Sequence, residues 1–113
     1  MNKHLYELML IFNMEGTMNL KIENSVNIFK VLADETRLKI IDAILEEPKT
    51  VGQIVEAIKE SQSGVSHQLK TLKESKIVKS QRKGKCVYYS LTDDHVKKIV
   101  LQTFLHASHD VEV

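Results

Sequence analysis

The stretch DDHVKKIVLQTFLHASHD (93–110) carries Asp93, His95, His106 and His109 in what reads as one helix. One carboxylate and three imidazoles, with no thiolate among them, form a donor set suited to tetrahedral zinc, with cobalt(II) as a substitute. His106 and His109 lie one turn apart and can grip the same ion. His95 precedes His106 by eleven steps of roughly 100°, which returns it to within about 20° of the same face but ~16 Å away along the axis. Metal–nitrogen bonds are only ~2.0–2.1 Å long, so a single helix cannot close this site. Two helices packed antiparallel in a symmetric dimer remove the difficulty, because the head of one (Asp93, His95) then meets the tail of the other (His106, His109). Twofold symmetry gives two equivalent four-ligand sites. Asp93 and His95 could not share a face in mid-helix, but they can converge at a capping first turn. The alternative is that these histidines are solvated, with His106 and His109 favoured near a helix C-terminus by the dipole. The four spacings satisfied by one dimer geometry favour metal. Nickel would ask for more ligands, and His4 in the N-terminal segment is a further candidate.

The elements that must position these residues follow from periodicity. On the last helix, His95, Ile99, Gln102, His106 and His109 fall at i, i+4, i+7, i+11 and i+14, a heptad-like seam for a partner. Val96, Val100 and Phe104 make a second, apolar line facing the domain. Upstream, Leu5, Leu8, Met9 and Phe12 allow a short helix within residues 1–18. Met14 and Met18 are alternative starts, so 1–18 read as an N-terminal extension and 19–113 as the main domain. Ile22, Val26, Phe29 and Leu32 repeat helically. Asp34 is placed to cap a helix presenting Leu38, Ile41 and Leu45, which Pro48 stops. Thr50 and Gln53 have capping-box spacing ahead of Val51, Ile54, Val55 and Ile58. After the polar turn Ser61-Gln-Ser-Gly64, a fourth helix buries Val65, Leu69 and Leu72, which completes a helix-turn-helix pattern. The period then switches in IVKSQRKGKCVYYSL. Ile77-Val78 open a strand, Arg82-Lys83-Gly84-Lys85 form a hairpin tip, and Val87, Tyr89 and Leu91 alternate on the return. Helix–turn–helix–hairpin–helix is a winged helix, mainly α with a small α+β character.

Charge is distributed unevenly along this order. Net charge is +1, but residues 1–60 carry −3, residues 61–92 carry +6 and residues 93–113 carry −2. A basic block between acidic ones suits an element facing nucleic acid, although charge alone fits a solvated surface equally well. The helix-turn-helix placement favours the first reading. Gln62, Ser63, Ser66, His67 and Lys70 point away from the buried line near the helix N-terminus, where a recognition helix meets base edges. Lys73, Arg82, Lys83 and Lys85 are placed to contact phosphates. His67 reads as a polar contact rather than a metal ligand.

At 113 residues, 42% apolar and 27% charged, the chain is sized for one small globular domain. It has no apolar run of the ~20 residues that span a bilayer. LYELMLIF lacks a signal peptide's cleavage site, and the lone Cys86 cannot form an internal disulfide, so a cytoplasmic protein is expected. A zinc enzyme is disfavoured, because four protein ligands leave no open position for water and no nucleophile–base constellation appears. A winged helix whose metal only holds the dimer together is the other reading left open.

The residues LADETRLKI (32–40), SQSGVSHQLKTLKESKIV (61–78) and the Asp-x-His and His-x-x-His pairs of 93–109 resemble the ArsR/SmtB family of bacterial metal-sensing repressors, over about residues 22–110. The match is nearest its zinc- and cobalt-sensing, CzrA-like branch. The resemblance implies a homodimeric winged helix binding double-stranded operator DNA when metal-free. It implies zinc or cobalt held by Asp93, His95, His106 and His109 between paired antiparallel C-terminal helices, and derepression on loading. It also implies that the second ring nitrogen of His106 donates to a backbone carbonyl around Lys76. Relatives that sense arsenic, cadmium or lead carry cysteines where this chain has Thr50-Val51-Gly52, so that thiolate site is absent. Persulfide-sensing relatives need two cysteines, which leaves Cys86 a strand residue without chemistry.

Overall fold

The computed structural model describes residues 14–109, with side chains from 19 to 108. The expected helix around Leu5–Phe12 and the candidate ligand His4 lie outside the described residues. The chain divides into two compact units, Met1–Ala33 and Asp34–Val113. In the first, helix α1 (Met14–Leu32) contains the expected helical run from Ile22 and begins well before it. Its Ile22, Val26 and Phe29, spaced along one line, stay exposed.

The second unit is a winged helix-turn-helix. Helix α2 (Glu35–Ile44) starts where Asp34, in extended backbone, accepts the Arg37 N–H on its carboxylate at 3.0 Å. Satisfying an otherwise orphaned donor is why aspartate suits this position. Helix α3 (Val51–Ile58) opens with the expected capping box: Gln53 N–H donates to Thr50 Oγ1 at 3.2 Å, and Thr50 N–H donates to Gln53 Oε1 at 2.9 Å. It ends at Lys59, which takes the left-handed conformation (φ 60°) and so turns the chain into the next helix. Helix α4 (Gln62–Glu74) is capped by Ser61 Oγ, which accepts from Gly64 N–H at 3.1 Å.

The hairpin pairs β1 (Val78–Lys83) with β2 (Cys86–Leu91) antiparallel, in a register that sets Val78 opposite Leu91 and Lys83 opposite Cys86. The turn is therefore only Gly84-Lys85, and Arg82 and Lys83 belong to the strand rather than to the tip as expected. Gly84 makes the tight turn at φ 64°, which a side chain would strain. Val87, Tyr89 and Leu91 do not alternate cleanly, since every residue from Val87 to Leu91 is half-buried. One further bridge has no signal in the local sequence: Lys49 exchanges backbone hydrogen bonds with Tyr89 at 3.0 and 2.8 Å, adding a single rung beside β2.

Helix α5 (Asp94–His109) follows, with Asp93 as its cap. The core gathers Ile40, Ile41 and Ile44 of α2, Ile54 of α3, Val65, Leu69 and Leu72 of α4, Ile77, Val78 of β1 and Val100 of α5, each no more than 2% exposed. Burying one such side chain contributes about 1.5–3 kcal/mol relative to leaving it in water. Among the described residues, no helix is long and apolar enough to cross a membrane.

Candidate DNA-reading face and metal-ligand seam

The buried line Val65, Leu69 and Leu72 fixes how α4 sits on the core, so its opposite face must look outward. Ser63, His67 and Lys70 lie there, with Gln62, Ser66 and Lys73 on its flank, and all six are exposed. Arg82, Lys83 and Lys85 are exposed at the hairpin end. Two of these cations are held in place. Lys73 Nζ donates to Ser80 Oγ at 2.7 Å, linking α4 to β1, and Lys83 Nζ stands 5.9 Å above the Tyr88 ring. Such contacts preorganise long side chains that otherwise lose rotamer freedom on binding. The arrangement presents short polar groups at a helix N-terminus beside a basic hairpin.

Two contacts behind this face were not legible in the sequence. Arg37 Nε donates to Gln68 Oε1 at 2.7 Å in a half-buried position, joining α2 to α4. Thr92 Oγ1 donates to the Lys76 carbonyl at 2.9 Å, just past the end of α4. Both pairs are distant in sequence, and no periodicity or spacing marks them.

On α5 the two expected stripes separate. Val100 is buried, with Val96 and Phe104 half-buried, whereas His95, Ile99, Gln102 and His106 are exposed. Asp93 Oδ1 accepts the Val96 N–H at 3.0 Å and lies 3.7 Å from His95 Nδ1. The capping turn thus brings the carboxylate and the first imidazole together. His106 occupies the same outer face about three turns later. His109 is the last residue of α5, and its side chain lies outside the described residues. Among the described residues, no three His, Cys, Asp or Glu side chains of one chain converge on a metal-sized site. Eleven helical residues set His95 and His106 ~16 Å apart along the axis, too far for one ion.

A family model described as "Bacterial regulatory protein, arsR family" matches residues 34–80, which run from the cap of α2 into β1. The chain is 44% identical over 80 residues to the cadmium resistance transcriptional regulatory protein CadC homolog of Staphylococcus aureus. That match covers 70% of this chain and 66% of the relative, so the chain spans just under two thirds of its length. It is 36% identical over 80 residues to the HTH-type transcriptional regulator NmtR of Mycobacterium tuberculosis, covering 71% of this chain and 67% of that one. The homodimeric winged helix-turn-helix DNA-binding domain of Mb0332 from Mycobacterium bovis superposes with a TM-score of 0.77. It shares 23% identity and covers 84% of this chain and 88% of its own, a likeness of fold. The first two of these relatives are transcriptional regulators rather than enzymes. With the family match over its capped helix-turn-helix and 36% identity to a relative of which it covers 67%, the chain belongs to the arsR family of bacterial regulatory proteins.

Proposed function

We propose that the chain is a metal-responsive transcriptional repressor of the zinc- and cobalt-sensing kind. Two copies pair through antiparallel α5 helices and hold operator DNA when metal-free. Zinc or cobalt(II) binding at the shared interface weakens that hold and derepresses metal efflux or resistance genes in the cytoplasm. The observation that carries this reading is the 3.7 Å approach of Asp93 Oδ1 and His95 Nδ1 at one end of an exposed face whose other end bears His106.

The donor set fits the metal. Asp93 and His95 of one copy, with His106 and His109 of the second, supply one oxygen and three nitrogens, a complement suited to tetrahedral zinc. When bound there, the ion would tie the head of one α5 to the tail of the other. Ile99, Leu101 and Leu105 are 42, 37 and 49% exposed, apolar surface that a second copy would bury. Cys86 is the chain's sole thiol, exposed at the start of β2 and far in sequence from the α5 ligands, so this donor set includes no thiolate.

For DNA, Gln62, Ser63, Ser66, His67 and Lys70 read the major groove. Lys73, Arg82, Lys83 and Lys85 grip phosphates and set register. By linkage, a metal that weakens DNA binding is itself held less tightly on DNA. Acid must release it, since a protonated imidazole cannot ligate.

The test is an optical titration of metal-free protein with cobalt(II), alongside His106→Ala. Intense visible bands saturating at one ion per protomer, lost in the variant, are expected. Weak bands would indicate six-coordinate binding of a nickel or cobalt type, and His4 would be the next residue to substitute. Absence of tight binding would overturn metal sensing and leave a DNA-binding winged helix. Metal that instead strengthens operator binding would assign it a purely structural role.

A further inference from the structure

We infer that Thr92 is a positioning residue that couples the ligand-bearing start of α5 to the end of α4 within a single protomer. The inference rests on the metal-responsive reading above. It differs from the route between subunits through His106, because every contact it uses lies in one chain.

Helix α4 closes in a Schellman arrangement. Ile77 N–H donates to the Leu72 carbonyl at 3.0 Å, and Lys76 N–H donates to the Lys73 carbonyl at 3.0 Å. The left-handed position in this motif, usually glycine, is Lys76 at φ 61°. A side-chain-bearing residue persists there only when its surroundings hold it. Thr92 supplies that hold. Its Oγ1 donates to the Lys76 carbonyl at 2.9 Å and lies 3.3 Å from the Ile77 carbonyl. Its backbone N–H donates to the Ile77 carbonyl at 3.1 Å. Both residues that terminate the DNA-reading helix are thereby fastened to one threonine.

The other side of Thr92 is one peptide bond from Asp93. Asp93 caps α5 through Val96 N–H and approaches His95 at 3.7 Å. On this inference, drawing Asp93 and His95 onto an ion shared with a second copy adjusts the backbone torsions at 92–93, because the Asp93 carboxylate is already committed to the Val96 N–H. The hydroxyl bond to Lys76 then either follows or breaks. A carbonyl oxygen has two lone pairs, so this bond leaves room for a second donor on Lys76. The backbone bond of Thr92 survives any substitution there, which leaves the hydroxyl as the separable element.

The experiment compares full-length wild type, Thr92→Val and Thr92→Ser. Cobalt(II) absorption reads metal binding. Fluorescence anisotropy, with and without zinc, reads affinity for a duplex selected by the wild type from a random-sequence pool. Thr92→Val should keep cobalt stoichiometry and bind the ion within about threefold of wild type, while the zinc-induced loss of DNA affinity shrinks at least about fivefold. Thr92→Ser, which keeps the hydroxyl, should restore it. An undiminished zinc response in Thr92→Val, or a serine variant as defective as the valine one, would overturn the role. Should the valine variant fail to fold, zinc must still change amide exchange at Ile77 and Thr92 in the wild type, and unchanged exchange there would overturn it too. A wild type that binds no cobalt, or whose DNA affinity ignores zinc, refutes the metal-responsive reading itself, and the coupling with it, before any variant is made.

Discussion

Arg37 Nε donates to Gln68 Oε1 at 2.7 Å, a bond between side chains 31 residues apart that fastens α2 to the back of α4. The Arg37 backbone is also fixed, because its N–H bonds the Asp34 cap. Gln68 sits between the buried and exposed faces of α4, so its anchoring sets how the helix is rotated on the core. A half-buried bond from a charged donor is worth about 1.5–3 kcal/mol. Arg37→Lys keeps the charge but not the planar Nε–H. We expect it to lower stability by about 1–2 kcal/mol, or roughly 4–8 °C in melting temperature per kcal/mol for a domain of this size. A thermal melt within a degree of wild type would show that the bond contributes nothing.

That bond also marks what the sequence could and could not convey. Caps at Asp34 and Thr50 are legible because their donors lie three residues on, within reach of local spacing rules, and the Ser61 cap obeys the same spacing. The buried lines on α4 and α5 were legible because burial follows helical period. Lys49 pairing with Tyr89, Arg37 with Gln68 and Thr92 with Lys76 were not, because each joins segments far apart in the chain through residues whose types are common on surfaces. The hairpin is legible in the switch of period, but its tip is not, since Arg82 and Lys83 look like turn residues by charge although they pair in the ladder. The Asp93–His95 approach was readable from the need for a capping turn at that point.

The N-terminus of α4 makes a second prediction with a sign that depends on context. A Cβ added at Gly64 would stand 2.9 Å from Ser61 Oγ, the atom that caps the helix through the Gly64 N–H. Ser61→Ala should cost about 1 kcal/mol as a lost N-cap. Gly64→Ala alone gains up to about 1 kcal/mol of helix propensity but displaces the cap, so it should change stability little. In the Ser61→Ala background the obstruction is gone and the full gain should appear. Denaturant melts of the four proteins would yield a coupling of about 1 kcal/mol. Strict additivity would mean that Ser61 is not capping α4.

Asp93 has a structural duty and a proposed ligating one, and two substitutions divide them. Asparagine caps a helix about as well as aspartate, so Asp93→Asn should preserve the bond from Val96 N–H and leave stability within about 0.5 kcal/mol. Asp93→Ala should lose about 1 kcal/mol of it. Both should weaken cobalt(II) binding by more than the ten- to hundredfold typical of removing an outer-shell partner. If Asp93→Asn binds cobalt as tightly as wild type, Asp93 serves only as a cap and the donor set must be redrawn.

The proposed DNA-reading face divides into groups that should fail differently. Arg82, Lys83 and Lys85 are exposed cations at the hairpin end, and a cation that neutralises a phosphate releases condensed counterions on binding. Replacing any one with alanine should weaken binding to all duplexes alike and flatten the dependence of log affinity on log salt by about 0.9. Lys83 should lose somewhat more than its phosphate contact, because its ammonium is also steadied above Tyr88 at 5.9 Å. Gln62→Ala and Ser66→Ala remove no charge and should leave the salt slope intact while relaxing discrimination at one base pair by about 1–3 kcal/mol. Affinity measured at several salt concentrations on a selected duplex and its single-base variants separates the two behaviours. A hairpin variant with an unchanged slope would place the wing off the DNA. A Gln62 or Ser66 variant that discriminates as well as wild type would mean that those side chains do not reach the bases.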